Sequence, residues 1–212
     1  MTFKIHKGMI ILILISIVAT FFIYSNLPEK IPSHWNIRGE IDSYRSKSFV
    51  WFTALLPLGI YLLMIYVPNI DPRRESYKKH KKAYEILMNI LVPFFIMIHW
   101  VAIFSALGHH ISVARIIPIG IGILFIVIGN YMGQIRPNYT FGIKIPWTLA
   151  DETVWRKTHR MGGFAFILSG LIFIISGIIN KPYSFILAIS SIFVFLIYTC
   201  IYSYLEYKKI HG

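Results

Sequence analysis

Six long apolar runs, separated by short clusters of Lys, Arg, Pro, Gly and Asn, set the pattern of the chain. They cover residues 9–24, 48–67, 84–107, 116–132, 162–180 and 183–204. Each is near the ~20 residues an α-helix needs to cross a bilayer, the fourth and fifth being the shortest. The expected fold is an all-α integral membrane protein, a bundle of six transmembrane helices. Pro57 should kink the second span and Pro68 end it, whereas Pro93 falls inside the third. The first run exceeds the apolar core of a signal peptide, and no small-x-small cleavage site follows before Leu27-Pro28-Glu29. It is therefore expected to be a retained span.

Composition agrees: 56% of the 212 residues are hydrophobic and 14% charged, against nearer a quarter charged in soluble domains. The net charge of +12 does not imply direct nucleic-acid binding, because the basic residues lie in short loops between apolar runs rather than on a polar domain. Their distribution sets orientation instead. Lys30, Arg38, Arg45, Lys47, Arg115 and Lys181 fall on one side, and the other fifteen of the 21 Lys and Arg fall on the opposite side. The positive-inside rule predicts that both termini are cytoplasmic. Three regions follow: 1–68, two spans with an extracellular loop at 27–47; 69–115, a basic cytoplasmic loop and the third span; and 116–212, spans four to six with a long loop at 129–163.

That long loop is the most informative stretch, crowding Gly, Pro, Trp, Asn, Arg and His between two apolar runs. It is expected to re-enter toward the membrane, with Thr148 capping a helix and Asp151 completing a capping box. Val154, Trp155, Thr158 and Met161 then share one helix face, with Arg156, Lys157 and Arg160 elsewhere. Gly122, Gly129 and Gly133 on span four, and Gly162/Gly163, Ser169/Gly170 and Ser176/Gly177 on span five, recur at four or seven residues. Such spacing predicts a closely packed hairpin.

The remaining chemistry is sparse. All nine acidic residues lie in loops or at span ends, which argues against a transporter coupled through a midplane carboxylate. His99 is the one ionisable side chain well inside a span, and a neutral ring bonded to the backbone of a neighbouring helix is expected. His34, His109 and His110 show no recognised zinc spacing. The basic run at 73–82 reads as a solvated loop attracted to anionic lipid. Cys200, the single cysteine, permits no disulfide within the chain. There is no nucleophile elbow, no His-Glu-x-x-His and no phosphate-cradling loop, so neither an enzyme nor a cofactor protein is expected. In the loop at 27–47, Pro32, His34, Trp35, Asn36 and Gly39 form a compact surface suited to an extracellular ligand. Trp35 alone reads as an interface anchor.

The string GNYMGQIRPNYTFGIKIPWTLADETVWRKTHRMGG, residues 129–163, resembles the signature of the SdpI family of bacterial membrane proteins. LPEKIPSHWNIRGEIDSYRSK, residues 27–47, resembles the segment of unknown function that often precedes it. The resemblance carries the signature onto Gly129, Asn130, Gly133, Arg136, Asn138, Gly142, Pro146, Trp147, Thr148, Trp155, His159 and Arg160. It implies a plasma-membrane protein that protects its cell from a secreted, membrane-active peptide toxin. It also implies, for some members, a small winged-helix repressor held at the membrane. The competing class is a small multi-span transporter or a lipid-binding membrane protein.

Overall fold

The computed structural model describes residues 5–212. Six of its helices are long and apolar enough to cross a membrane. They are α1 (Lys7–Ile23), α2 (Phe49–Ile70), α4 (Lys81–Ala106), α5 (Val113–Met132), α7 (Glu152–Ile179) and α8 (Pro182–His211). Two short helices, α3 (Ser76–Lys79) and α6 (Pro146–Ala150), lie in the connections. The protein is a multi-pass membrane bundle. Leu14, Phe22, Leu63, Phe193 and Leu196 are exposed, as expected of side chains facing hydrocarbon.

The connection after α1 adds an element the sequence reading did not include. Strand β1 (Lys30–Trp35) pairs antiparallel with β2 (Ile41–Ser46), with register shifts between Pro32 and His34 and between His34 and Trp35. Asn36 builds the turn, its Oδ1 accepting the N–H groups of Arg38 at 2.8 Å and Glu40 at 3.1 Å. Gly39 completes it at φ +77°, a conformation that favours glycine.

Span boundaries differ from expectation at several ends, α8 for example running on to His211 and α5 starting at Val113. Helix α2 continues past Pro68 to Ile70. Proline has no N–H to give to the carbonyl four residues back, and the Tyr84 hydroxyl donates to that carbonyl, Met64 O, at 2.6 Å. Helix α4 begins at Lys81 rather than near 84. Helix α7 begins at Glu152, ten residues before the apolar run, because Asp151 is itself the N-cap. Its Oδ1 accepts the N–H groups of Thr153 at 2.7 Å and Val154 at 2.8 Å. Thr148 is not the cap. Its hydroxyl accepts the Ile145 N–H at 3.1 Å and donates to the Ile143 carbonyl at 2.7 Å, fastening α6 to the preceding loop.

The α5–α7 hairpin has the close contact the glycine spacing predicts. A Cβ on Gly122 would lie 2.5 Å from Gly170 O, and one on Gly170 would lie 2.6 Å from Gly122 O. One turn-pair further along, Gly129 and Gly163 face each other in the same way, at 2.5 and 2.7 Å. Backbones this close gain van der Waals contact and Cα–H to carbonyl contacts that larger residues would forbid. Gly133 takes no part, since its nearest neighbour, Arg160 Cα, is 3.7 Å from the same construction.

In the N-terminal half a polar slice crosses the bundle. The His99 ring on α4 meets Thr20 Oγ1 of α1 at 2.8 Å through Nε2 and Thr53 Oγ1 of α2 at 2.9 Å through Nδ1. Its partners are hydroxyls on two neighbouring helices rather than backbone. Trp100 adds an indole N–H to Ser16 Oγ at 2.9 Å.

Candidate functional sites at the two ends of the bundle

Successive crossings place β1–β2, the α4–α5 turn and the α7–α8 turn at one end of the bundle. The connections α2–α4 and α5–α7 lie at the other. Each end has a built site.

At the hairpin end a groove of about 590 Å³ opens between the β-turn and the ends of α5, α7 and α8. His34, Trp35, Asn36 and Gly39 line it, facing an apolar wall that includes Ile117, Pro118 and Phe185. Pro32 does not line it but is buried in β1 opposite Tyr44. Gly39 fixes the geometry, because a Cβ there would lie 2.8 Å from Ala114 Cβ. Polar groups sit on the rim. His34 Nδ1 meets Asp42 Oδ1 at 2.6 Å, and Arg38 and Lys181 supply cationic side chains. Sequence reasoning found the hairpin half of this groove and missed the α5, α7 and α8 half, whose residues read only as span ends.

At the signature end the loop at 133–151 is held by buried polar groups that bond backbone rather than one another. Asn138 is fully buried. Its Oδ1 accepts the N–H groups of Thr140 at 3.0 Å and Phe141 at 2.9 Å, while its Nδ2 donates to Arg136 O at 2.9 Å. His159 Nε2 accepts the Ile143 N–H at 3.0 Å, and its Nδ1 donates to Trp155 O at 2.9 Å. The Trp155 indole donates to Ile135 O at 2.9 Å. Gly142, at φ +111°, packs so close that a Cβ would stand 2.5 Å from His159 Nε2. Pro146 is the first residue of α6, and Trp147 rests edge-on against Tyr204 at 5.3 Å. Asn130, Gly133 and Arg160 are exposed and stand apart from this buried set.

A second group, which sequence reasoning missed, locks the same loop to the connection after α2. Asp71, only 3% exposed, accepts the Arg73 N–H at 2.7 Å through Oδ1 and the Tyr139 N–H at 3.0 Å through Oδ2. Tyr77 donates to Asp71 Oδ2 at 3.1 Å and also contacts the Thr140 hydroxyl. Burial pushes the Tyr77 phenol well above its ordinary range. His80 Nδ1 accepts the Arg136 N–H at 3.1 Å. Burial, followed by the positive charge of Arg136, lowers the His80 pKa to about 4. Spacing gave no sign of this lock, because Asp71, Tyr77 and His80 lie in a charged segment that reads as solvated. The last helix is pinned at the same end. Glu206 takes Lys157 at 2.6 Å and Lys209 at 2.7 Å, and His211 reaches Asp151 at 3.2 Å.

The chain's comparisons with known proteins fall on both ends. Residues 134–203 match the SdpI/YfhL protein family, and residues 11–58 match a Domain of unknown function (DUF1648). The last third of the chain is thus similar to that family. Over 203 residues it is 28% identical to the Immunity protein SdpI of Bacillus subtilis (strain 168), covering 96% of each chain. No solved structure matches it. The DUF1648 match contains β1–β2, and the SdpI match contains the loop from residue 134 onward together with His159 and Trp155 of α7, which hold it. The groove at the hairpin end draws on residues of both matched regions and on the start of α5, residues 113–118, which lies outside both.

Proposed function

We propose that this chain is a plasma-membrane immunity protein that protects its cell from a secreted peptide toxin, and that the toxin is met at the hairpin-end groove. Similarity to an immunity protein along nearly the whole length supports the class of function. The observation that carries the site is the groove itself, which gathers His34, Trp35, Asn36 and Gly39 against an apolar wall. Aromatic, apolar and cationic groups in one open cleft suit an amphipathic peptide. In this reading the hairpin end is extracellular and both termini are cytoplasmic, in keeping with the excess of Lys and Arg at the signature end.

The finer part of the proposal concerns the cytoplasmic face. There the signature loop, tied to Asp71 and His80, holds the ends of α2, α5 and α7 together and offers exposed Arg160 beside it. A small winged-helix repressor held against this face would report toxin occupancy. The test is expression in a toxin-sensitive cell challenged with candidate peptides, beside a reporter for the repressor. Survival supports the immunity reading, and repressor release on challenge supports the signalling reading. Unchanged sensitivity across peptides, with the protein present in the membrane, contradicts the first. A reporter that does not respond while cells survive contradicts only the second.

A further inference from the structure

A second cavity, of about 340 Å³, lies on the side of the bundle beneath the signature loop. We propose that it holds one acyl chain of an anionic phospholipid whose phosphate pairs with Lys144. Its walls come from the middle of three spans: Phe125 of α5, Ala165 and Phe166 of α7, and Ile192 and Phe195 of α8, with Ile143 as a lid. The middle of a spanning helix lies in hydrocarbon. A cavity lined this way stays dry and takes an apolar guest. Leu196, which also lines it, is 60% exposed, so the cavity opens sideways, toward the bilayer, where acyl chains are the surrounding solvent.

Charge selects the headgroup. Lys144 lines the same cavity, and its ammonium donates to Tyr139 O at 3.0 Å and Thr140 O at 2.9 Å. Two neutral carbonyls fix the position of the ammonium without cancelling its charge, and it has a third N–H to give. A fixed cation beside an apolar slot matches the two halves of an anionic lipid. A zwitterionic lipid offers the same chain, but its own cation offsets the phosphate. The site is independent of the toxin groove, which lies at the opposite end of the bundle.

The experiment uses the full chain in nanodiscs containing phosphatidylglycerol or phosphatidylcholine with a diazirine on the acyl chain, followed by mapping of the cross-linked peptides. Cross-links should concentrate on the lining residues Ala165, Phe166, Ile192, Phe195 and Thr199. Phosphatidylglycerol should be favoured about tenfold, the size expected of one charge-assisted hydrogen bond. Lys144→Gln keeps an amide N–H for the two carbonyls but removes the charge, and should bring the ratio near one. Ala165→Leu narrows the slot and should reduce cross-linking of both lipids there. Labelling confined to the outward-facing Phe193, Ile197 and Ile201, or a headgroup preference that survives Lys144→Gln, overturns the proposal.

Discussion

The imidazole of His159 lies on the indole of Trp155, with ring centres 4.0 Å apart and planes 19° apart. Both rings are fully buried, and each anchors a different part of the loop, His159 through Ile143 N and Trp155 through Ile135 O. Because the Trp155 carbonyl can only accept, His159 carries its proton on Nδ1, which leaves Nε2 as acceptor for Ile143. His159→Phe keeps the stack but orphans that N–H, and should cost about 1–3 kcal/mol. Thermal unfolding in detergent, with limited proteolysis at residues 139–145, would register the loss. An unchanged melting point and an uncleaved loop would contradict this role for His159.

The glycine pairs give a graded prediction. Gly129→Ala and Gly170→Ala each place a methyl group about 2.5 Å from a facing carbonyl oxygen, closer than any packed pair tolerates, so α5 and α7 must separate. Each should lower membrane abundance markedly, with leucine worse than alanine. Gly59→Ala is the matched control, since nothing stands within 4 Å of its added Cβ. Equal abundance for all three would contradict the contact.

His99 makes a prediction about coupling. Thr20 donates its hydroxyl proton to Ser16 O at 2.8 Å, and Thr53 donates to Val50 O at 2.9 Å. A neutral ring has only one N–H, so one hydroxyl must turn from its carbonyl to donate to the ring. Thr20→Val and Thr53→Val should therefore be non-additive, with an interaction energy of about 0.5–3 kcal/mol. Additivity in a double-mutant cycle, measured by unfolding, would show that the two hydroxyls do not share the ring.

Acid should loosen the lock between the two loops of the signature end. The His80 pKa falls from 6.5 to about 4 on folding, so the folded state resists a proton that the unfolded state accepts. Its contribution is fully present above about pH 6.5 and is lost progressively as pH drops toward about 4. Asp71, Tyr77 and Arg136 are the charged or titratable neighbours that shape this site. His80→Gln retains an acceptor for the Arg136 N–H without titrating. Between pH 7.5 and 5, its melting temperature should fall less steeply than that of the wild type. Parallel slopes would remove His80 as the cause.

How much of this was legible in the sequence varies from element to element. Apolar run length specifies the spans, and the Gly122/Gly129 and Gly163/Gly170 spacing specifies their tightest pair. The start of α7 was misplaced because Thr148 and Asp151 both suit an N-cap, and only the extended backbone at Asp151 (φ −137°, ψ 128°) decides between them. The β-hairpin was missed because its strands are six residues long and irregular in register, which blurs their alternation. The lock of Asp71, Tyr77 and His80 joins residues more than 50 positions apart in sequence from their loop partners. No local spacing reveals such a contact.

Orientation is open to a direct check on a Cys200→Ser background. A cysteine replacing Lys78, in the basic loop, should resist a membrane-impermeant thiol reagent in intact cells and react after permeabilisation. A cysteine replacing Arg38, at the hairpin turn, should react without it. The reverse pattern would invert the proposed topology.

Survival under toxin at matched membrane abundance tests the central claim most directly. Ile117→Trp, which fills the groove wall, and the pair Trp35→Ala with Asn36→Ala should lose protection while the protein remains in the membrane. Arg160→Ala, on the exposed signature surface, should keep it. Full protection by the groove variants, with protection lost in Arg160→Ala, would place the immunity site at the signature end instead.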